Sequence, residues 1–193
     1  MPGAKSDPLQ RIIVDAAIAI AADTGPDAIS MREVARLAGV SHQAPYHHFG
    51  DRAGIFAAIS EEGFRFLAES IEASTTLGTA AMCEAYVHFA LAHKGHFRVM
   101  MRNDLCSLEN YPSALIQADR AFNALRNEVT VILGEDSNED DANAHTAYMW
   151  SVAHGLATLL LDGPLLKKLG SVADINELIR NVARKASSTI VHS

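Results

Sequence analysis

The stretch that most limits the possible folds is SMREVARLAGVSHQAPYHHFGD, residues 30–51. Ser30 and Glu33 have the capping-box spacing, in which a serine hydroxyl and a glutamate carboxylate each take up an amide left unpaired at a helix start. Gly39 can turn left-handed and stop that helix, Ser41 is spaced to cap a second one, and Phe49-Gly50 ends it. Val34, Leu37, Ala38 and Val40 fall on the inward side of the first helix and the turn. Two helices this short bury little by themselves, so their core must come from neighbours. Leu9, Ile12, Ala16 and Ile20 share a face of a helix from about Pro8 to Thr24, which Gly25-Pro26 stops. Ile55, Ile59, Phe66 and Leu67 lie on a helix that Asp51 caps and that runs to about Ala73. The spacing predicts a three-helix head with helix, tight turn, helix at its centre, and a longer helix leading away.

Beyond that point apolar residues keep the helical period, and no sustained period of two with β-branched enrichment occurs, so the expected fold class is all-α. With 49% apolar residues in 193, a large core is available. The small polar segment STTLGT is the candidate domain boundary, separating a helix-turn-helix domain over 9–56, with its connecting helix continuing to about 73, from a helical domain over 79–193. Met82, Tyr86, Phe89 and His93 share a face of a helix that Gly95 closes, followed by the short element HFRVMM. After Tyr111-Pro112 a long helix carries Leu115, Ala118, Phe122, Leu125, Val129 and Ile132 on one stripe. The acidic run from Glu135 to Asp141 reads as a solvated loop entering a helix start, where negative charge is favoured. That helix reaches Asp162 and stops at Gly163-Pro164, and a last one runs from about Val172 to Ile190.

Sixteen basic against 23 acidic residues give a net charge of -7, so any surface that attracts an anion must be local. Two cysteines are too few for a disulfide framework, no secretory pattern opens the chain, and no apolar run approaches a membrane span. A cytoplasmic protein without membrane partner is expected. Adjacent His47 and His48 point in different directions on a helix and so do not suit one metal ion. His88, His93, His96 and Cys106 lack dependable ligand spacing, because Gly95 interrupts them. No metal or cofactor is expected.

The second short helix exposes residues suited to DNA. Its early positions would meet base edges in the major groove while neighbours hold phosphates. Gln43 can pair with adenine through two hydrogen bonds, His42 can donate or accept, and Ala44 can touch a thymine methyl. Ser30, Ser41, Tyr46, His47 and Arg52 are suitable phosphate partners, with Arg32 adding local positive charge. Residues 9–56 resemble the DNA-binding domain of the tetracycline-repressor (TetR) family of transcriptional regulators. The likeness is carried by Arg32 to Ala38, Gly39-Val40-Ser41, Tyr46-His47-His48-Phe49 and Arg52. It implies Tyr46, His47 and Arg52 at phosphates, His42, Gln43 and Ala44 near bases, and Phe49 in the core. Pro45 departs from that pattern, since many members carry leucine there, and it implies a recognition helix that is short or shifted.

In MWSVAHGLATLLLDGPL, residues 149–165, Trp150 and His154 stand four apart on one helix face and Gly155 sits in mid-helix. A glycine there costs about 1 kcal/mol relative to alanine, so a close neighbour is expected. Ser151, Ala153, Gly155 and Ala157 make this helix smooth, and Ile175, Leu178, Ile179 and Val182 offer an apolar face on the last helix. The Trp-x-x-x-His-Gly pattern resembles a C-terminal regulatory domain of a subset of the same family, which AYVHFALAHKGHFRVMM also fits. The resemblance implies a homodimer through the last two long helices and a ligand cavity in each C-terminal domain. Phe89, Phe97, Met100 and Met101 could converge there with Tyr111, Phe122, Met149, Trp150 and His154 to hold a largely apolar small molecule. The same residues would equally make an ordinary core. The reading is a repressor that binds a near-palindromic operator as a dimer and is released by an effector. The rivals are a protein-interaction module, or a hydrolase using Ser151, His154 and Asp162, for which one helix supplies no oxyanion site; no enzyme activity is expected.

Overall fold

The computed structural model describes residues 7–134, 137–170, 172 and 174–189. Within them the regular structure is helical: α1 Pro8–Thr24, α2 Met31–Ala38, α3 Ala44–Phe49, α4 Arg52–Glu72, α5 Thr79–Ala92, α6 Lys94–Met100, α7 Pro112–Leu133, α8 Glu139–Leu161, α9 Leu165–Leu169 and α10 Ile175–Ser188. No strand occurs among the described residues. The all-α class is therefore observed. The short α9 was not foreseen, and the last helix is shorter than its sequence limits; Ile190 lies outside the described residues.

The chain divides into two units. One contains the segment up to Phe64 together with His93–Ile116, the other Arg65–Ala92 together with the segment from Gln117 onward. In the first, Ile13, Ala17, Ile29, Val34, Ile55, Phe56 and Ile59 form the centre of a buried cluster that Val99 and Cys106 complete. Both of the last two come from beyond the STTLGT segment, so the head borrows part of its core from α6 and the loop after it. The buried face of α1 is Ile13, Val14, Ala16, Ala17, Ile20 and Ala21, with Leu9 packed against the same cluster, so the expected stripe is kept at Leu9, Ala16 and Ile20 and only Ile12 faces solvent. Leu37 is likewise exposed rather than inward.

Local chemistry explains the turns. The Ser30 hydroxyl accepts the Glu33 amide at 3.2 Å, but the Glu33 carboxylate turns to Arg36 at 2.6 and 2.9 Å, so only half of the expected capping box forms. Gly39 ends α2 in the left-handed conformation at φ 67°. Ser41 does not cap α3 with its side chain. Its carbonyl instead accepts the Ala44 amide at 3.1 Å, closing a turn before α3 starts. That start places Pro45 within the first turn of α3, where its missing amide costs nothing. At the other end the Asp51 amide bonds the Phe49 carbonyl at 2.8 Å around Gly50, whose φ of 74° and ψ of -63° are those of a γ-turn open mainly to glycine. Asp51 then caps α4 by accepting the Gly54 amide at 3.0 Å.

Gly95 was expected to close a helix. It lies inside α6, and a β-carbon there would fall well within van der Waals distance of the Ile18 carbonyl oxygen. Its role is close approach of α6 to α1, not termination. Arg98, one turn later, donates to the carbonyls of Ala21 and Ala22 at 3.2 and 2.9 Å, and so satisfies the unpaired acceptors near the end of α1.

In the second unit α5 packs against α8 and α10, with Met82, Val87, Met149, Ala157 and Ile179 fully buried. Asn138 caps α8 by accepting the Asp141 amide at 2.9 Å. Glu139, Asp140 and Asp141 occupy its first turn, as the acidic run implied, although residues 135 and 136 lie outside the described ones.

Candidate nucleic-acid interface

The turn and α3 leave Ser41, His42, Gln43, Tyr46 and His47 exposed, with Tyr46 at 51%. Arg32 on α2 is exposed too. Pro45 is buried and anchors the helix from beneath, and Phe49 packs against the head core. His48 is half-buried, its Nδ1 3.8 Å from the Asp7 carboxylate. The two adjacent histidines thus part as expected, one outward and one inward. Ala44 is half-buried and packs against the core cluster. Ser30 uses an acceptor lone pair in capping and keeps its O–H as a donor for a phosphate.

Arg52 is placed differently from the expected phosphate contact. Its Nη2 donates to the Pro26 and Asp27 carbonyls at 3.1 and 3.4 Å, and its guanidinium lies 4.9 Å from the centre of the Phe56 ring. The side chain ties the start of α4 to the turn that precedes α2. Arg52→Ala is therefore expected to lower the stability of the head by about 1–2 kcal/mol, read as a shifted urea midpoint. The salt dependence of DNA binding should stay as it is. A salt slope reduced by about one at unchanged stability would return Arg52 to the phosphates.

The nine residues considered for a ligand cavity are divided between the two units. Phe97 and Met100 are buried in the first unit, where Met101 is half-buried and Tyr111 packs on the head core. Phe89 and Met149 are buried in the second unit, where Phe122 and Trp150 meet edge to face at 5.8 Å and remain about two-fifths exposed (40% and 43%). A groove of about 400 Å³ in the second unit is lined by Glu72, Thr75, Arg120, Asn123, Asn127 and Val131 among others, and by none of the nine.

Sequence reasoning missed what Trp150 and His154 share. Tyr86 of α5 lies between them, its hydroxyl 2.9 Å from His154 Nδ1 and accepting the Trp150 Nε1–H at 3.4 Å. Burial holds the Tyr86 phenol far up and pushes His154 down, so both are neutral near pH 7. In the sequence Tyr86 shares a helix face with Met82, Phe89 and His93, and no local signal points to its partners on α8. Among the described residues no group of three histidine, cysteine or acidic side chains is arranged to hold a metal ion.

Neutral His154 makes a pH prediction. Unfolded histidine binds protons below about pH 6.5, whereas folded His154 and His93 resist them because burial disfavours the charged form. The unfolded chain then binds more protons, so stability is full above that value and declines as pH falls below it. Urea midpoints are expected to drop between pH 7.5 and 5.5, and less steeply in His154→Gln. Equal slopes would remove His154 as a source.

An α-helical head that presents a capped turn and a short exposed helix defines a DNA-binding protein of the helix-turn-helix class. Residues 13–59 match the family described as bacterial regulatory proteins, tetR family, and residues 79–185 match the tetracyclin repressor-like C-terminal domain. The chain belongs to the TetR family of transcriptional regulators. It is 25% identical over 178 residues to YobS, an uncharacterized HTH-type transcriptional regulator of Bacillus subtilis (strain 168), a match that spans 79% of this chain and 93% of that one. A protein of unknown function from Rhodococcus sp. RHA1 has a similar structure, with TM-score 0.73, 26% identity and coverage of 100% and 98%. A tetR-family bacterial regulatory protein from Rhodococcus RHA1 gives TM-score 0.76 at 18% identity over 96% and 98% of the two chains. No helix among the described residues is long and apolar enough to cross a membrane.

Proposed function

We propose that the protein is a one-component repressor that binds a near-palindromic operator as a homodimer and is released by a largely apolar small molecule. The observation that carries this reading is the exposed set Ser41, His42, Gln43, Tyr46 and His47 on a head whose turns are fixed at Gly39 and Gly50. Such a surface suits the major groove, with His42 and Gln43 toward bases and Ser30, Arg32, Ser41, Tyr46 and His47 toward phosphates. Two heads about 34–36 Å apart compensate for the small positive charge of each.

The dimer reading is supported by α8. Among the described residues nothing lies within 4 Å of a β-carbon built on Gly155, so none of them accounts for a glycine there. Ser151 and Leu159 beside it are exposed, as is Ile175 of α10. Leu178 and Val182 are half-buried and can contribute. Ile179 has no surface left for a partner, being fully buried within its own chain. Gly155→Leu is expected to dissociate the dimer at micromolar concentration, as sedimentation velocity would record, without lowering helix content. An unchanged dimer would place the interface elsewhere. The Trp-x-x-x-His-Gly subset is kept as part of this reading, with Phe122 and Trp150 as the aromatic surface open to an effector.

Selection of random duplex DNA by the purified protein, sequenced at two salt concentrations, tests the central reading. Recovery of an inverted repeat with half-sites one helical turn apart is expected. Salt-sensitive binding without a motif would overturn it.

A further inference from the structure

Arg120, Ala124 and Glu128 form one row along α7 at a spacing of four residues, and Asn123, Asn127 and Val131 form the next. The small side chain of Ala124 leaves a dip in the first row. Glu72 at the end of α4 and Thr75 in the turn after it wall this dip into the groove of about 400 Å³ in the second unit. That volume falls within the range of small-molecule sites, about 300–1,000 Å³. Its charges are unevenly answered. Both oxygens of Glu72 are held by Arg120, one by Nε at 2.6 Å and the other by Nη2, and Arg120 Nη1 donates to the Gln117 side chain at 3.3 Å. Glu128 is half-buried, and its carboxylate has no hydrogen-bond or ion-pair partner among the described residues. Its neighbours three and four places away on α7, Ala124, Leu125, Val131 and Ile132, are all apolar. Val131 is 74% exposed and Ile132 37%. The groove therefore carries one net negative charge beside an open aliphatic surface.

We propose that this groove binds a small organic monocation, a protonated primary amine on a short aliphatic chain. Glu128 supplies the opposite charge. An ammonium group has three N–H donors, and the exposed side-chain carbonyls of Asn123 and Asn127 are acceptors for the two that Glu128 does not take. The Thr75 hydroxyl adds an acceptor, because its own proton is engaged with the Glu72 carbonyl at 2.8 Å. Ala124 and Val131 take the chain out of water. An anion is disfavoured, since it would have to displace Glu72 from Arg120 and would face Glu128. A neutral alcohol of the same length keeps the apolar contact and loses the charge pairing. An alkylammonium keeps its proton at pH 7, as lysine does. None of the residues considered for DNA or for the apolar effector lines the groove, so this site stands or falls separately from the operator reading.

Isotope-labelled full-length protein is titrated at pH 7 and constant ionic strength with n-pentylammonium chloride, n-pentanol and sodium pentanoate, and the side-chain amide signals of Asn123 and Asn127 are followed by NMR. A saturable shift is expected with n-pentylammonium, at a dissociation constant roughly fivefold lower than that of n-pentanol, and none with pentanoate. Glu128→Gln should reduce n-pentylammonium to the affinity of the alcohol. Ala124→Leu fills the dip and should remove both. Equal affinity of amine and alcohol in the wild type, a preference for the amine that survives in Glu128→Gln, or the absence of a saturable shift at these two amides overturns the proposal. If Ala124→Leu fails to fold, the comparison of wild type with Glu128→Gln decides alone.

Discussion

Gly54→Ala is expected to weaken operator binding more than tenfold while leaving helix content nearly intact. A β-carbon at Gly54 would overlap the Phe49 carbonyl oxygen, the last acceptor of the recognition helix before its γ-turn. The obstacle is backbone on both sides, so no side-chain rotation relieves it. Either α3 lifts away from the start of α4 or Asp51 releases its cap on the Gly54 amide. Overpacking of this kind costs about 1–3 kcal/mol, partly offset by the better helix propensity of alanine, about 1 kcal/mol. Stability should therefore fall modestly, whereas DNA affinity, which depends on where α3 sits, should fall more. Binding isotherms beside urea denaturation would separate the two. Unchanged affinity would mean that α3 reaches the groove without its present seat on α4.

Phe56→Ala should have the larger effect on stability, about 3–5 kcal/mol. Phe56 is 1% exposed at the centre of the head core, and its ring also carries the guanidinium of Arg52. Removing it leaves a cavity between α1 and α4 and frees Arg52 from one of its supports. For a chain of this size the loss corresponds to a melting temperature lower by roughly 6–20 °C. A drop below 3 °C would show that the head relaxes around the void or unfolds independently of the remainder.

The residues that announced the head were those whose partners lie within a few positions. Ser30 toward Glu33, Gly39 at the end of α2 and Asp51 toward Gly54 can be read from a window of four residues, because caps and left-handed turns are local bargains between side chain and backbone. The start of α3 was less legible. Ser41 had the composition of a cap, but Pro45 cannot supply an amide, and the chain closed a backbone turn instead. Gly95 was misread for a different reason. A glycine that ends a helix and one that lets a neighbour approach look alike in sequence, and only Ile18, 77 positions earlier, distinguishes them. Tyr86 and His154 are separated by 68 residues. No periodicity argument reaches across such a distance. The exposure of Ile12 and Leu37 has a related cause: which apolar residues are buried follows the neighbour's position rather than the average of the apolar residues.

The brevity of α3 limits how much text each head can read. His42 and Gln43, the residues proposed for the bases, are adjacent on the turn that enters α3, and α3 itself adds six residues, about 9 Å; with base pairs about every 3.4 Å apart, the segment reaches about three of them. A word of that length recurs throughout any genome. Discrimination then falls largely to grammar: two identical short words, inverted, at one fixed interval. Operators that keep both words and change the interval by a single base pair should be rejected more strongly than operators with one misspelled letter.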